Sequence, residues 1–297
     1  MRPFPHTPSH ETVDDDRFAS GHLWLLELID GVPLRVQLRE SGLLRFGDGT
    51  RAFDGPDDVP LSLRHAVRHV RDRFDRESLR DAVDDVESVT VYGVATTRRS
   101  IDYDWDRLPP FLGVDVRDGD AVLPPDAVDA IVDRLGLEPV TVVDREVRAR
   151  DFDPDVDAFP RSAWYDGPVA GLLVKNKRGG RAAVEHPDIG DPDPSGDPDL
   201  ASDADPSNDH AATDVADAFA TDHRLERLAR SLESRNRPVD YDTLRDRTLE
   251  AIAREAVPTH SDGARDGVID AAVDVDTLRT AVGERTQAFL ANREHWD

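Results

Sequence analysis

The chain has 297 residues and a formal net charge of −25, from 62 acidic and 37 basic residues. That length can bury a sizeable core and suggests two domains. The absence of cysteine excludes disulfides, thiolate nucleophiles and cysteine-built zinc sites. No run of about 18 apolar residues exists to form a transmembrane helix, and Met1-Arg-Pro-Phe-Pro-His lacks the apolar stretch of a signal peptide, so a cytoplasmic protein is expected. Asp far outnumbers Glu, and Lys175 and Lys177 are the only lysines among many arginines. Such acidity is expected of a halophilic protein from high-salt cytoplasm, where it maintains hydration and solubility. At low ionic strength it argues against nucleic-acid binding. At about 1 M salt the Debye length is only about 3 Å, and that argument lapses.

Residues 1–20 are polar and proline-bearing and read as a flexible arm. A buried strand over Leu23–Ile29 ends at Asp30-Gly31, and a second strand, Val32–Arg39, follows at once. Two apolar runs separated by Asp-Gly predict a β-hairpin, extended by a third strand near 43–46 into an antiparallel meander. Pro60–Phe74 has the period of a helix with Leu61, Val67, Val70 and Phe74 inward. A short helix over Arg76–Val83 and strands over Val89–Ala95 and Phe111–Val116 come next. Pro125–Leu135 carries proline near its start and Gly136 just past its end, the punctuation of a helix. Val140–Val147 is a further strand, and Val169–Lys175 and Arg181–His186 pair through the turn Arg178-Gly179-Gly180. Residues 187–211 have no apolar period and read as a disordered, acidic, proline-stiffened linker. Beyond it, 212–297 reads as a helical domain with helices over Asp214–Leu232, Asp242–Ala256 and Val275–Arg293.

From residues 22 to about 186 the order of short motifs resembles the covalent nucleotidyltransferases, and among them the ATP-dependent RNA ligases. The family motif Lys-x-Asp-Gly, whose lysine takes AMP from ATP, falls on Leu28-Ile29-Asp30-Gly31. Glu27 stands where these ligases have a Glu that reads the adenine amino group, and Arg51 in Phe46-Gly-Asp-Gly-Thr-Arg51 where an Arg contacts the ribose or guides the RNA end. Val91-Tyr-Gly-Val-Ala95 matches the strand that normally ends in Gly-Glu. Phe111-Leu-Gly-Val-Asp115 matches the strand whose aromatic ring stacks on the base, and Asp166-Gly-Pro-Val-Ala-Gly-Leu-Leu-Val-Lys175 the Glu-Gly-x-Val-x-Lys strand. The resemblance implies an α+β ligase-like nucleotidyltransferase domain over 21–186, antiparallel sheets with flanking helices, followed by the all-α domain. It further implies nucleotide-binding roles for Glu27, Asp30, Arg51, Phe111 and Lys175, with ATP and Mg²⁺ as the cofactors an active member would use.

Nucleotidyl transfer needs a nucleophilic amine, a carboxylate-bound Mg²⁺ and cations on the phosphates. The positions that supply them in the family are apolar here: Leu28 for the nucleophile, Val94 for the ribose-binding Glu, Ala170 for the metal-associated Glu and Ala183 for a phosphate-binding Lys. The resemblance therefore implies a chain without adenylyl transfer, kept as a nucleotide- or RNA-binding or assembly module, alone or beside an active ligase. The alternative is an active ligase with an unrecognised nucleophile or one activated by a partner subunit. On the residues alone, Leu28 and Phe111 are core, Glu27 is an edge charge, Asp30 a turn residue, and Arg51 and Lys175 are solvated cations. Arg64, Arg68 and Arg71 form one helical stripe, either a solvated face or a track for an RNA backbone. His65 and His69 have i, i+4 metal-ligand spacing, but without the accompanying carboxylate they read as a surface pair. No DNA-specific motif is present.

Overall fold

The structure is a computed structural model that describes residues 1–13, 18, 20–153, 159–187, 189, 209–255 and 274–293. It divides into two units, Met1–Val59 with Ala66–Asp191, and Pro60–His65 with Pro192–Asp297.

The first unit holds two sheets. One has four antiparallel strands in the order β10-β9-β1-β8, formed by β1 (His22–Glu27), β8 (Val142–Arg148), β9 (Gly171–Asn176) and β10 (Arg181–Glu185). The other runs β3-β2-β4-β5-β6, from β2 (Val32–Leu38), β3 (Leu44–Gly47), β4 (Val89–Ala95), β5 (Phe111–Asp118) and β6 (Ala121–Val122), with β7 (Glu138–Pro139) parallel to β5. The helices of this part are α2 (Arg76–Ala82), α3 (Pro125–Arg134) and, from Ala66 onward, α1 (Leu61–Arg73), whose residues Leu61–His65 belong to the second unit. Asp75 caps α2 by accepting from Ser78 N at 2.9 Å. Gly136 closes α3 at φ +75°, a conformation that favours glycine.

The predicted β1–β2 hairpin does not form. β1 pairs with β9 and β8, whereas β2 pairs with β3 and β4. Leu28-Ile-Asp-Gly31 is therefore the crossover from one sheet to the other. Leu28 N makes a 3.0 Å bond to Gly171 O. A Cβ on Gly31 would lie 2.5 Å from Val94 Cγ1 and 2.6 Å from Ala95 O, so only glycine allows this approach of backbone to β4. The Asp-Gly signal is a close crossing rather than a tight turn.

The two sheets pack face to face through an apolar cluster of Trp24, Leu26, Leu112, Ala170 and Leu173, with Val94 and Val114 partly buried against it. The outer face of the β1 sheet buries Leu23, Leu25, Leu172, Val174 and Val184. Strand alternation accounts for both faces. The predicted flexible arm is, over Met1–Val13, seated on the sheets. Ala183 N donates to Pro8 O at 2.9 Å, Arg35 Nη1 donates to Arg2 O at 2.8 Å, and Phe4 meets the Tyr92 ring edge-on at 5.1 Å. The rest of the arm, except Phe18 and Ser20, lies outside the described residues.

The second unit contains α4 (Asp209–Phe219), α5 (Asp222–Ser234), α6 (Tyr241–Glu255) and α7 (Val275–Arg293). One core joins Ala212, Ala216, Leu249, Ile252, Leu278 and Val282, and Leu61 belongs to it. A second joins Leu225, Ala229, Leu232, Leu244 and Phe289. The helix predicted over Asp214–Leu232 is two helices. Thr221 interrupts it, its hydroxyl accepting from Arg224 N at 3.4 Å as the cap of α5. The predicted linker largely falls outside the described residues, and α4 begins within its range at Asp209.

Candidate functional site

The crossover, the ends of β4 and β5 and the start of β9 converge between the two sheets of the first unit. Of the four apolar positions singled out in the sequence, Val94 and Ala170 lie here, with Leu28 and Ala183 on the flanking crossover and strand. Leu28 lies over Gly171, its Cδ2 3.0 Å from where a Cβ of that glycine would be, and so beside Ala170. Val94 and Ala170 share the inter-sheet cluster, and Ala183 stands opposite Leu173 in the adjoining register. The cleft they would line is filled. Besides the sheet residues, Ile101, Tyr103 and Leu108 from the β4–β5 loop and Trp164 and Tyr165 from the β8–β9 loop pack into the same cluster. The Tyr103 ring makes edge contacts with Trp105 at 5.8 Å and Tyr165 at 5.5 Å.

The five residues assigned nucleotide-binding roles are spread over β1, the crossover, the β3–α1 loop, β5 and β9. Glu27 is 2 % exposed, and its carboxylate accepts from Ser162 Oγ at 2.5 Å and Ala163 N at 3.3 Å. Burial pushes this carboxyl above its ordinary range, against the pull of those hydrogen bonds. Asp30 Oδ2 accepts from Ser100 N and Oγ, both at 2.7 Å, and from Ile101 N at 3.1 Å. Its own N–H donates to Tyr103 Oη at 3.0 Å, and burial drives that hydroxyl far above its usual range. Asp30 is thus a latch on the β4–β5 loop. Phe111 is fully buried on the opposite face of its sheet, its ring against Gly93, and offers no surface to a base. Arg51 is on the β3–α1 loop, where it bonds Asp58 Oδ1 at 2.8 Å.

Lys175, read from the residues alone as solvated, is 5 % exposed. Its Nζ donates to Val114 O at 2.6 Å and Asp115 Oδ1 at 2.7 Å, while Arg181 Nη2 bonds Asp115 Oδ2. Burial lowers the Lys175 ammonium from its ordinary range, despite the opposing charge of Asp115. Asp115 reaches this place through a bulge. Tyr92 pairs with Asp115 but Gly93 with Gly113, so Val114 is the extra residue, and Leu112 and Asp115 face the same way. Asp115, Arg181, Ser162 and Tyr103 were invisible as site residues in the sequence. Simple alternation puts Asp115 on the wrong face, Arg181 lies in the stretch Arg181–Val184 that matches the family's last lysine-bearing strand only through Ala183, and Ser162 and Tyr103 match no motif.

The surface-pair reading of His65 and His69 is overturned: they are 3 % and 8 % exposed, and His69 Nε2 is 3.0 Å from Glu138 Oε2. In the arginine stripe, Arg64 and Arg68 are half-buried and Arg71 sits 5.3 Å over the Phe46 ring. Outside the Glu27 cap is an open concavity of about 710 Å³ lined by Tyr103, Arg107, Arg161, Ser162, Tyr165 and Asp166. Asp102 and Asp104 add carboxylates to the same wall.

No family model matches the chain, and no curated protein matches it. Among solved structures it is similar to an archaeal ATP-dependent RNA ligase. Form 1 is 12% identical with a TM-score of 0.44, covering 100% of this chain and 67% of that one. Form 2 is 12% identical with a TM-score of 0.43, covering 97% and 63%. A Naegleria gruberi RNA ligase with PPi is 14% identical with a TM-score of 0.46, covering 62% of this chain and 56% of that one. The chain thus spans less than two thirds of the length of two of these three structures.

Proposed function

We propose that this chain is an RNA-ligase-like nucleotidyltransferase scaffold without adenylyl transfer, retained as a binding or assembly module for RNA, alone or beside an active ligase. The observation that carries this reading is the filled inter-sheet space. On the resemblance in the sequence, Leu28, Val94, Ala170 and Ala183 take the positions at which an adenylyl-transfer site needs an amine, two carboxylates and a phosphate-binding cation. The cluster of Trp24, Leu26, Leu112, Trp164 and Tyr165 packs there instead. Charge crowded into a cleft costs stability that catalysis alone justifies, and apolar packing removes that cost.

The motif frame persists for structural reasons. Asp30 holds Ser100 and Ile101, and Gly31 permits the crossing against β4. Neither role needs the nucleophile between β1 and the crossover. Lys175 does not replace it, because an ammonium fixed on Val114 O and Asp115 and 5 % exposed cannot reach an α-phosphate. The tests are thermal melting with Mg-ATP and fluorescence anisotropy with labelled RNA, both in molar KCl. The expected result is no shift with Mg-ATP beyond that of Mg-triphosphate at the same concentration, and saturable binding of RNA. Stabilisation by Mg-ATP over and above Mg-triphosphate would overturn the closed-cleft reading, and lack of RNA binding would leave only the assembly role.

A further inference from the structure

Away from the apolar cluster, the inter-sheet face of the β2–β4–β5 sheet becomes cationic. Arg35, Tyr92 and Asp115 form one rung across β2, β4 and β5, and Thr90 with Arg117 forms the next on the same face. From the opposing sheet, Lys175 and Arg181 reach Asp115. Four cations therefore converge where Asp115 is the carboxylate bonded within the group, with Asp48 acting on Arg35 and Asp129 on Lys175 from farther off. In a chain of net charge −25 this is a marked reversal. Arg35 is 3 % exposed, and the buried Nε atoms of Arg35, Arg117 and Arg181 have no hydrogen-bond partner among the described residues. Native proteins seldom leave buried guanidinium donors idle.

What covers this face is the N-terminal segment. The Arg2 carbonyl accepts from Arg35 Nη1 at 2.8 Å and from Tyr92 Oη at 3.5 Å. Phe4 rests on the Tyr92 ring, and Pro8-Ser9 adds a single parallel bridge beside Ala183. A neutral carbonyl is a weak substitute for an anion on a guanidinium, since charge-assisted bonds are about twice as strong. One isolated bridge is also a slight attachment compared with a strand ladder.

We propose that Arg35, Arg117, Arg181 and Tyr92 form a phosphate-binding cradle, held closed by residues 2–9 and opened when a phosphate group displaces the Arg2 carbonyl. Arginine suits this task because its planar fork matches phosphate oxygens two at a time. The source of the phosphate, a strand of RNA or the free ion, rests on the binding-module reading above; the cradle itself does not.

The full chain is melted in molar KCl with and without inorganic phosphate at matched ionic strength, in the absence of ATP. In parallel, one short labelled RNA is titrated in its 5′-phosphate and 5′-hydroxyl forms. A rise in Tm with phosphate marks a site for the free ion, and tighter binding of the 5′-phosphate RNA marks a strand end. Arg117→Gln, at a half-buried position that need not compromise folding, is expected to weaken the response roughly ten-fold or more. Phe4→Ala is expected to lower the Tm without ligand yet tighten phosphate or RNA binding several-fold, because the open state becomes more populated. A purely structural contact would lower the Tm without that gain. The proposal is overturned if neither ligand acts beyond matched chloride, if Arg117→Gln responds like the parent, or if Phe4→Ala gives no gain in binding. An AMP adduct formed from labelled ATP would refute the non-catalytic reading and leave the cradle standing.

Discussion

Replacing Asp115 by Asn tests the buried charges between the sheets. The Asp115 side chain is 4 % exposed and sits between Lys175 Nζ at 2.7 Å and the Arg181 guanidinium, themselves 6 % and 11 % exposed. Removing the negative charge leaves two cations in a medium where neither is rehydrated. Breaking a buried pair in this way costs roughly 3–5 kcal/mol, a large share of the roughly 5–15 kcal/mol that holds a typical domain folded. For a unit of this size, a Tm falls by about 2–4 °C per kcal/mol, so Asp115→Asn should melt about 6–20 °C lower. Lys175→Met should cost less, about 1–3 kcal/mol, because Asp115 keeps Arg181 and the loss is confined to Val114 O and one ammonium bond. The double variant should be more stable than the sum of the two, since the second change removes a cation the first had stranded. Urea denaturation in molar KCl measures all three. A cost for Asp115→Asn below that of Lys175→Met, or strict additivity, would refute this assignment of the charges.

Other outcomes follow from the packing between and behind the sheets. Val94→Glu puts a carboxylate at a partly buried position against the apolar cluster and should destabilise by about 1–3 kcal/mol by thermal melting. Gly93→Ala places a Cβ 2.3 Å from the Phe111 ring and 2.3 Å from Leu112 O, and should cost roughly 1–3 kcal/mol in the same assay. Glu27→Gln should change the pH dependence of stability. Folding raises the Glu27 pKa from 4.5, so the folded state holds this proton more tightly and loses stability as pH rises through 4.5 and the folded value above it. Relative to the parent, Glu27→Gln should therefore gain as pH climbs from the acid side to neutrality. A difference independent of pH would contradict the buried, capped carboxylate.

Much of the first unit could be read from residue pattern because its strands obey simple alternation and its helices are well punctuated. β4, α2 and the β9–β10 pair lie within a residue or two of the predicted ranges. The failures have identifiable causes. Asp30-Gly31 carries a hairpin signal, but its carboxylate is taken by Ser100 and Ile101 and its glycine by contact with Val94, and the chain changes sheets there. Asp115 was hidden by a one-residue bulge at Val114 that no local pattern announces. The cap on Glu27 comes from Ser162, 135 residues away in sequence, and depends on tertiary structure alone. His65 and His69 lie on the buried side of α1, where the charged neighbours Arg64 and Arg68 masked their burial.

Incubation of the purified chain with α-labelled ATP and Mg²⁺ in molar KCl, followed by denaturing electrophoresis, tests the central claim most directly. With Leu28 at the crossover, the account predicts no label on the protein, and none on Leu28→Lys either, because Val94, Ala170 and Ala183 still supply neither carboxylate nor cation to work with the restored amine. AMP retained on the unaltered polypeptide after denaturation would contradict it.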